Sequence, residues 1–101
     1  MSGIVDVKIK DQGAYDFLLN SLEALRLLIF ITAELRLPAE VESLRGADGR
    51  TKLRISVKAP AEKIEEQRRE LERKMAERFS EELRGLVSVV FEPALAGRIA
   101  N

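Results

Sequence analysis

Residues 41–57 of this 101-residue chain read VESLRGADGRTKLRISV, and this stretch decides the fold. After the turn, apolar and polar residues alternate over residues 52–58, which is the period of a strand with one buried face. Asp48-Gly49 supplies the positive φ that tight hairpin turns need, so we predict two paired antiparallel strands. In the strand before the turn, residues 39–45, the apolar residues do not alternate cleanly. A bulge or a helical turn is therefore an alternative to a regular strand in this segment.

Two long helical segments flank this hairpin. Apolar residues recur at helical spacing over residues 14–37, and Pro38 disfavours helical geometry at the residue before it. A second helical segment, residues 61–84, follows a proline and ends at a glycine. Outside the two helical segments, residues 4–9 and 86–91 have the length and composition of strands.

The resulting order is β-α-β-β-α-β, which is typical of the ferredoxin-like fold. We predict an α+β, two-layer sandwich in which a four-stranded antiparallel sheet carries two long helices on one face. In that fold the first and third strands are neighbours at the centre of the sheet. The chain length fits a single domain over residues 1–101, with residues 94–101 as a loosely ordered tail. Because this fold hosts many functions, the order alone does not indicate an activity.

The composition argues against several classes of function. Lys and Arg number 17, and so do Asp and Glu, so the net charge of zero gives no overall attraction to nucleic acid or anionic membrane. The chain has neither Cys nor His, which removes thiolate chemistry, the commonest metal ligand and the usual general base. It contains no Gly-rich phosphate loop and no nucleophile elbow. We therefore expect no enzymatic activity, no metal and no cofactor.

The sequence also predicts where the protein resides. Its N-terminus has neither the charged region nor the cleavage site of a signal peptide, so we expect none. Its most apolar run, residues 27–33, is much shorter than the ~20 residues that span a bilayer. We expect a soluble, cytoplasmic protein.

The first helical segment carries two apolar faces. At 100° per residue, the first stripe comprises Tyr15, Leu18, Leu19, Leu22, Leu25, Ile29 and Ala33. The second stripe lies nearly opposite, at coiled-coil-like spacing, and comprises Phe17, Ala24, Leu28, Ile31 and Leu35. A helix that covers one sheet needs only one apolar stripe. We expect the wider first stripe to face the sheet and the second stripe to remain exposed. Arg26, which falls within the first stripe, must then reach toward solvent or find a partner.

An exposed second stripe predicts self-association. An uncovered apolar stripe of this kind usually marks an interaction site. The leading hypothesis is a non-catalytic assembly or scaffold domain that forms a homo-oligomer, most simply a dimer, through the second stripe. In the competing interpretation, the second helical segment or the C-terminal tail covers this stripe.

The outward side chains of the first and third strands predict a basic sheet face, formed by Lys8, Lys10, Lys52, Arg54 and Lys58. A basic sheet face can bind an anion or an RNA backbone, and the RNA-recognition motif uses this surface. That family also stacks bases on aromatic residues of its central strands, whereas these places hold Lys, Arg and Ser. A solvated face that its charges keep from pairing is the competing interpretation.

Residues 41–57, the helix after them and residues 85–90 resemble the second half of ACT domains, which are small ferredoxin-like regulatory modules. The resemblance implies amino-acid binding and dimerisation. ACT domains bind ligand near the glycine of an Asp-x-Pro-Gly loop after the first strand. Here Asp11, Gln12 and Gly13 occupy that place, without the proline and one residue shorter. Small-molecule sensing by these three residues is the second hypothesis.

A designed origin is a further interpretation of the same pattern. Periodicity, capping and turn chemistry agree along the chain, which is typical of designed sequences. The helices rich in ion pairs and the Asp-Gly hairpin also suit that origin. Arg26 and the irregular second strand depart from strict idealisation.

Overall fold

The computed structural model describes residues 7–94. Its elements are, in chain order, β1 (Val7–Ile9), α1 (Gln12–Asn20), α2 (Leu22–Leu35), β2 (Ala39–Arg45), β3 (Thr51–Ala59), a 3₁₀ turn (Ala61–Lys63), α3 (Ile64–Arg78), α4 (Glu81–Arg84) and β4 (Val87–Pro93). The α+β class and the order of strands and helical segments are confirmed. The start of the predicted first strand and residues 95–101 of the predicted tail lie outside the described residues. Within residues 7–94, no helix is both long enough and apolar enough to cross a membrane.

Strands β2 and β3 form the antiparallel hairpin that the turn sequence predicts. They pair one to one from Ala39 opposite Val57 to Arg45 opposite Thr51, so β2 is a regular strand without a bulge. Gly49 has a φ of 82°, the left-handed conformation expected at this position of the turn.

The order of strands in the sheet differs from the predicted one. The strands lie in the order β1-β2-β3-β4, with β1 parallel to β2 and β4 parallel to β3. The prediction of an antiparallel sheet in ferredoxin-like order is therefore wrong, because the sheet is mixed and β1 lies at its edge. Both arrangements have the same strand directions and the same residue patterns. They differ only in which strands pair, and periodicity does not encode that choice.

Both helical segments lie on the same face of this sheet. The Lys74 ammonium on α3 is 2.8 Å from the Glu34 carboxylate on α2, and the Phe30 and Phe79 rings pack edge to face at 5.4 Å. In the ferredoxin-like order, the step from β3 to β4 crosses the sheet in the direction opposite to the step from β1 to β2, and two right-handed β-α-β crossovers then place their helices on the same face. Here both steps cross the sheet in the same direction, and the helices still share a face. One of the two crossovers is therefore left-handed, which is the rarer hand.

The core lies between the helices and one face of the sheet. Its central strand is β3, whose inward residues are at most 1% exposed: Leu53, Ile55, Val57 and Ala59. The helices cover them with a second layer of buried side chains, chiefly Ala14, Leu18, Ala24, Leu27, Leu28, Ile31, Leu71 and Met75. Strand β4, at the edge of the sheet, adds Val87 and Phe91 to this core. The sandwich thus buries one face of the sheet and leaves the other, here called the open face, to solvent.

Each predicted long helix is interrupted at a serine. Ser21 has extended dihedral angles, φ −137° and ψ 103°, and its Oγ accepts a hydrogen bond from the Ala24 N–H at 3.2 Å, so it caps α2. Ser80 caps α4 in the same way, through the Leu83 N–H at 3.2 Å. In both cases a glutamate follows within the first turn. Serine followed by glutamate is a helix-start signal that apolar periodicity alone misses.

Candidate functional site

The helix face that packs on the sheet is the second stripe, not the first. Ala24, Leu28 and Ile31 are 0%, 6% and 0% exposed, and Phe17 and Leu35 are half-buried against the core. The second stripe therefore has no free surface for a partner, and its assignment as an interface is wrong. The two apolar faces do exist, but their roles are exchanged.

Five large apolar side chains of the first stripe are exposed to solvent. They form the exposed stripe, which comprises Tyr15 (48% exposed), Leu19 (68%), Leu22 (58%), Leu25 (36%) and Ile29 (57%). Ala33 continues the same line near the end of α2 and is also exposed, whereas Leu18 is buried. The five side chains expose on the order of 500 Å² of apolar surface, which equals the largest patches found on ordinary monomers.

Arg26 explains why the faces are exchanged. It lies on α2 between Leu22 and Ile29 and is itself exposed. On the core side its guanidinium would be taken out of water without a charged partner, which costs several kcal/mol. The second stripe contains no charged residue. The position of Arg26 was therefore the sequence signal that distinguishes the outer face from the inner one.

The exposed apolar surface continues onto the edge strand β1. Val7 and Ile9 point to the helix side of the sheet, in register with Ala39 and Val41, yet they are 39% and 37% exposed. Ile9 and Tyr15 line the same shallow depression, whose volume is about 380 Å³. The described helices therefore leave the β1 side of the core open, next to the start of the exposed stripe.

The predicted ligand-binding residues lie at the start of α1, where Asp11 is the N-cap and makes structural contacts. Its Oδ1 accepts hydrogen bonds from the Ala14 N–H at 2.7 Å and from the Ser43 Oγ at 3.0 Å. Its Oδ2 accepts one from the Ser43 N–H at 3.2 Å. The pKa of Asp11 lies below its ordinary value, because these hydrogen bonds stabilise the ionised carboxylate. The bond from the Ala14 N–H has the larger effect, followed by the bond from the Ser43 N–H. Asp11 thus caps α1 and ties it to β2.

The two other residues of this predicted site also have structural roles. A Cβ on Gly13 would lie 2.7 Å from the Ser43 Oγ, so close packing against β2 accounts for glycine here. The Gln12 side-chain amide donates to Asp16 Oδ1 at 3.0 Å on the exposed surface of α1. These contacts explain all three residue types, and ACT-like binding stays a prediction.

The open face of the sheet is mixed in charge rather than basic. It does carry all five predicted cations, namely Lys8, Lys10, Lys52, Arg54 and Lys58. However, β2 and β4 contribute carboxylates to the same face. Lys10 lies 3.5 Å from Glu40, Arg54 lies 3.5 Å from Glu42, and Glu92 is the register neighbour of Lys58. These neighbours cancel much of the positive field on which anion or RNA binding would depend.

The exposed stripe can bind a partner only by burying apolar area, because its side chains are apolar apart from the Tyr15 hydroxyl. Among residues 7–94, no three His, Cys, Asp or Glu side chains are grouped so that they could hold a metal ion. The chain matches no protein-family model, no curated protein and no solved structure.

Proposed function

We propose that this protein is a non-catalytic assembly domain that forms a homodimer through the exposed stripe on α1 and α2. The observation that carries the proposal is the 36–68% exposure of five large apolar side chains on these two helices. No residue in the described part of the chain covers them. A patch of this extent is often functional, and a partner that covers it removes its contact with water.

The exposed stripe is self-complementary along α2. Leu22 and Ile29 are placed symmetrically about a point between Leu25 and Arg26. When two copies of α2 pack antiparallel about this point, Leu22 meets Ile29 of the second copy. Leu25 then meets the aliphatic stem of Arg26 of the second copy, while the guanidinium reaches water. A contact of this kind is two-fold symmetric, which is the commonest form of homodimer.

The area of the exposed stripe sets the expected strength of the dimer. Burying it on both copies removes about 1,000 Å² from water, slightly less than the ~1,200–2,000 Å² of stable specific interfaces. Ile9 lies close enough to Tyr15 to add to this area. We therefore expect a dimer in the micromolar range that dissociates on dilution.

The test is the mass in solution of the double variant Leu22→Glu/Ile29→Glu. Two carboxylates at the centre of the contact would have to be desolvated without partners, which opposes association. We expect the mass from light scattering to fall to half of the wild-type value or less. The circular dichroism spectrum should remain that of the wild type, because both positions are exposed in the folded chain.

Ala76→Glu is the matched control, since it places the same carboxylate at an exposed position of α3, away from the stripe. This variant should keep the wild-type mass. A wild type that remains monomeric at millimolar concentration would contradict the proposal, and so would an unchanged mass of the double variant.

Three other interpretations stay predictions from the sequence. They are amino-acid sensing by residues 11–13, anion or RNA binding on the open face, and a designed origin. None of the contacts described above favours them over assembly.

A further inference from the structure

The outer edge of β4 directs backbone hydrogen-bonding groups away from the sheet. The Leu86 carbonyl accepts a hydrogen bond from the Leu53 N–H at 2.9 Å, and the Ala94 N–H donates one to the Ala59 carbonyl at 2.8 Å. The backbone N–H and C=O groups of the even-numbered residues of β4 therefore point toward β3. Successive residues of a strand direct these groups to opposite sides. The outward N–H and C=O groups are therefore those of Val87, Val89 and Phe91. No strand in the described part of the chain pairs with them.

The two edges of the sheet are protected to different degrees. Within the described residues, strand β1 carries Lys8 and is followed at once by Lys10, and lysine on an edge strand resists edge-to-edge pairing. Strand β4 has seven residues, four of them Val or Phe, and neither lysine nor arginine. Its proline, Pro93, stands at the strand end, where the missing N–H would have pointed outward. Strand β4 is therefore the edge that is open to strand addition.

A cleft of about 330 Å³ lies beside this edge, between β4 and α3. The side chains of Val87, Val89 and Phe91 line it on the helix side of the sheet, together with the apolar Leu71 and Met75 and the charged Arg68, Glu72 and Arg84. An added strand would thus gain main-chain hydrogen bonds along the edge and apolar contacts in the cleft, which is the general basis of strand addition.

We propose that β4 pairs antiparallel with β4 of a second copy, about a two-fold axis at Val89 or Val90, to form a continuous eight-stranded sheet. With either axis, all three outward N–H groups of each copy donate to carbonyl oxygens of the other. Pro93, the next residue whose backbone points outward, has no N–H, so no outward N–H of β4 remains without a partner. This contact is separate from the exposed stripe, because β4 and β1 are the two opposite edges of the sheet.

A second copy fits this edge because β4 is compatible with its own reversed sequence. On the helix side, Phe91 meets Val87 or Val89 of the second copy, which are favourable cross-strand pairs. On the open face, Glu92 meets the uncharged Leu86 or Ser88, so no like charges face each other. A chain with two separate two-fold contacts assembles into tetramers or longer rows rather than into closed dimers.

Single cysteines test the pairing, because the chain contains no other cysteine. Val89→Cys and Val90→Cys would each be made in the Leu22→Glu/Ile29→Glu background, which removes the contribution of the exposed stripe. Directly opposed residues of an antiparallel pair have Cα atoms about 4.5–5.5 Å apart, within disulfide reach. We expect one of the two variants to form a disulfide-linked dimer under mild oxidation, roughly tenfold faster than Glu92→Cys. Residue 92 lies roughly 13 Å or more from its copy across either axis.

Equally slow linkage at residues 89, 90 and 92 would overturn the proposal, and so would faster linkage at residue 92. Amide exchange is a second readout that needs no substitution in β4. The N–H groups of Val87, Val89 and Phe91 should exchange slowly in concentrated solution and rapidly after dilution. Rapid exchange at all concentrations means that the edge is unpaired. Protection that survives dilution means that a segment of the same chain covers it, and either result contradicts pairing between copies.

Discussion

At the residue scale, Asp11, Gly13 and Ser43 hold the start of α1 against β2. An aspartate before a helical segment is a cap signal that the sequence shows, and Asp11 is the N-cap of α1 in the structure. The sequence gives no indication of Ser43, which is 32 residues away from Asp11 and contacts it only in the folded chain. The glycine that suggested a ligand loop is explained by this distant contact, which local reasoning could not find.

Gly13→Ala tests that contact. Alanine in a helix is ordinarily more stable than glycine by about 0.5–1 kcal/mol. Here the new Cβ would lie 2.7 Å from the Ser43 Oγ, and moving that hydroxyl breaks its hydrogen bond to Asp11. Since overpacking costs ~1–3 kcal/mol, we expect the free energy of unfolding in urea to fall by about 1 kcal/mol. In a Ser43→Ala background most of this loss should disappear. An equal loss in both backgrounds would show that the clash is not its cause.

At the scale of elements, α2 shows how far periodicity leads. Its spacing reveals two apolar faces, and both are present. Which face meets the sheet depends on the whole packing arrangement, and periodicity favours the wider first stripe, which is the exposed one in the structure. The charge of Arg26 was the one local feature that distinguishes the exposed face from the buried face. The serine caps that divide both helical segments were readable in the same way, from residue chemistry rather than from spacing.

Two adjacent positions of α2 give a direct test of its orientation. Leu28 is 6% exposed and Ile29 is 57% exposed. Leu28→Ala should lower the free energy of unfolding by about 2–4 kcal/mol, because it leaves a cavity in the core. Ile29→Ala should cost less than about 1 kcal/mol when urea denaturation is measured on dilute, dissociated protein. A larger loss at Ile29 than at Leu28 would mean that the helix is rotated by half a turn.

At the scale of the whole molecule, the order of elements was predictable and the pairing of strands was not. The alternation in β1 is the same whichever strand it joins. Its lysines suit an edge position, which β1 has in the structure, whereas the predicted sheet order makes them part of a central basic face. The sheet order in turn decides which charges are neighbours of β1 on the open face, since it brings Glu40 beside Lys8, whereas the β2-β3 hairpin places Glu42 beside Arg54 in either order.

Paired cysteines on the open face report the strand order. Lys8 is the register neighbour of Glu40, and Ser56 lies one strand further along the same row. Lys8→Cys/Glu40→Cys should form an intramolecular disulfide, which mass spectrometry after alkylation detects. Lys8→Cys/Ser56→Cys should remain reduced, because two strand spacings, about 9.6 Å, exceed disulfide reach. Linkage of the second pair instead of the first would place β1 beside β3, as in the ferredoxin-like order.

The strand order also has a consequence for the covalent chain. Because the strands lie in sequence order, residues 7–45 and residues 51–94 each form a complete β-α-β unit that occupies its own half of the sheet. Only the exposed turn at residues 46–50 joins the halves through the backbone. An interleaved sheet would lack this property, because each half would contribute strands to both sides. We therefore expect two fragments divided at that turn to reassemble by complementation, the arrangement on which split-protein reporters depend.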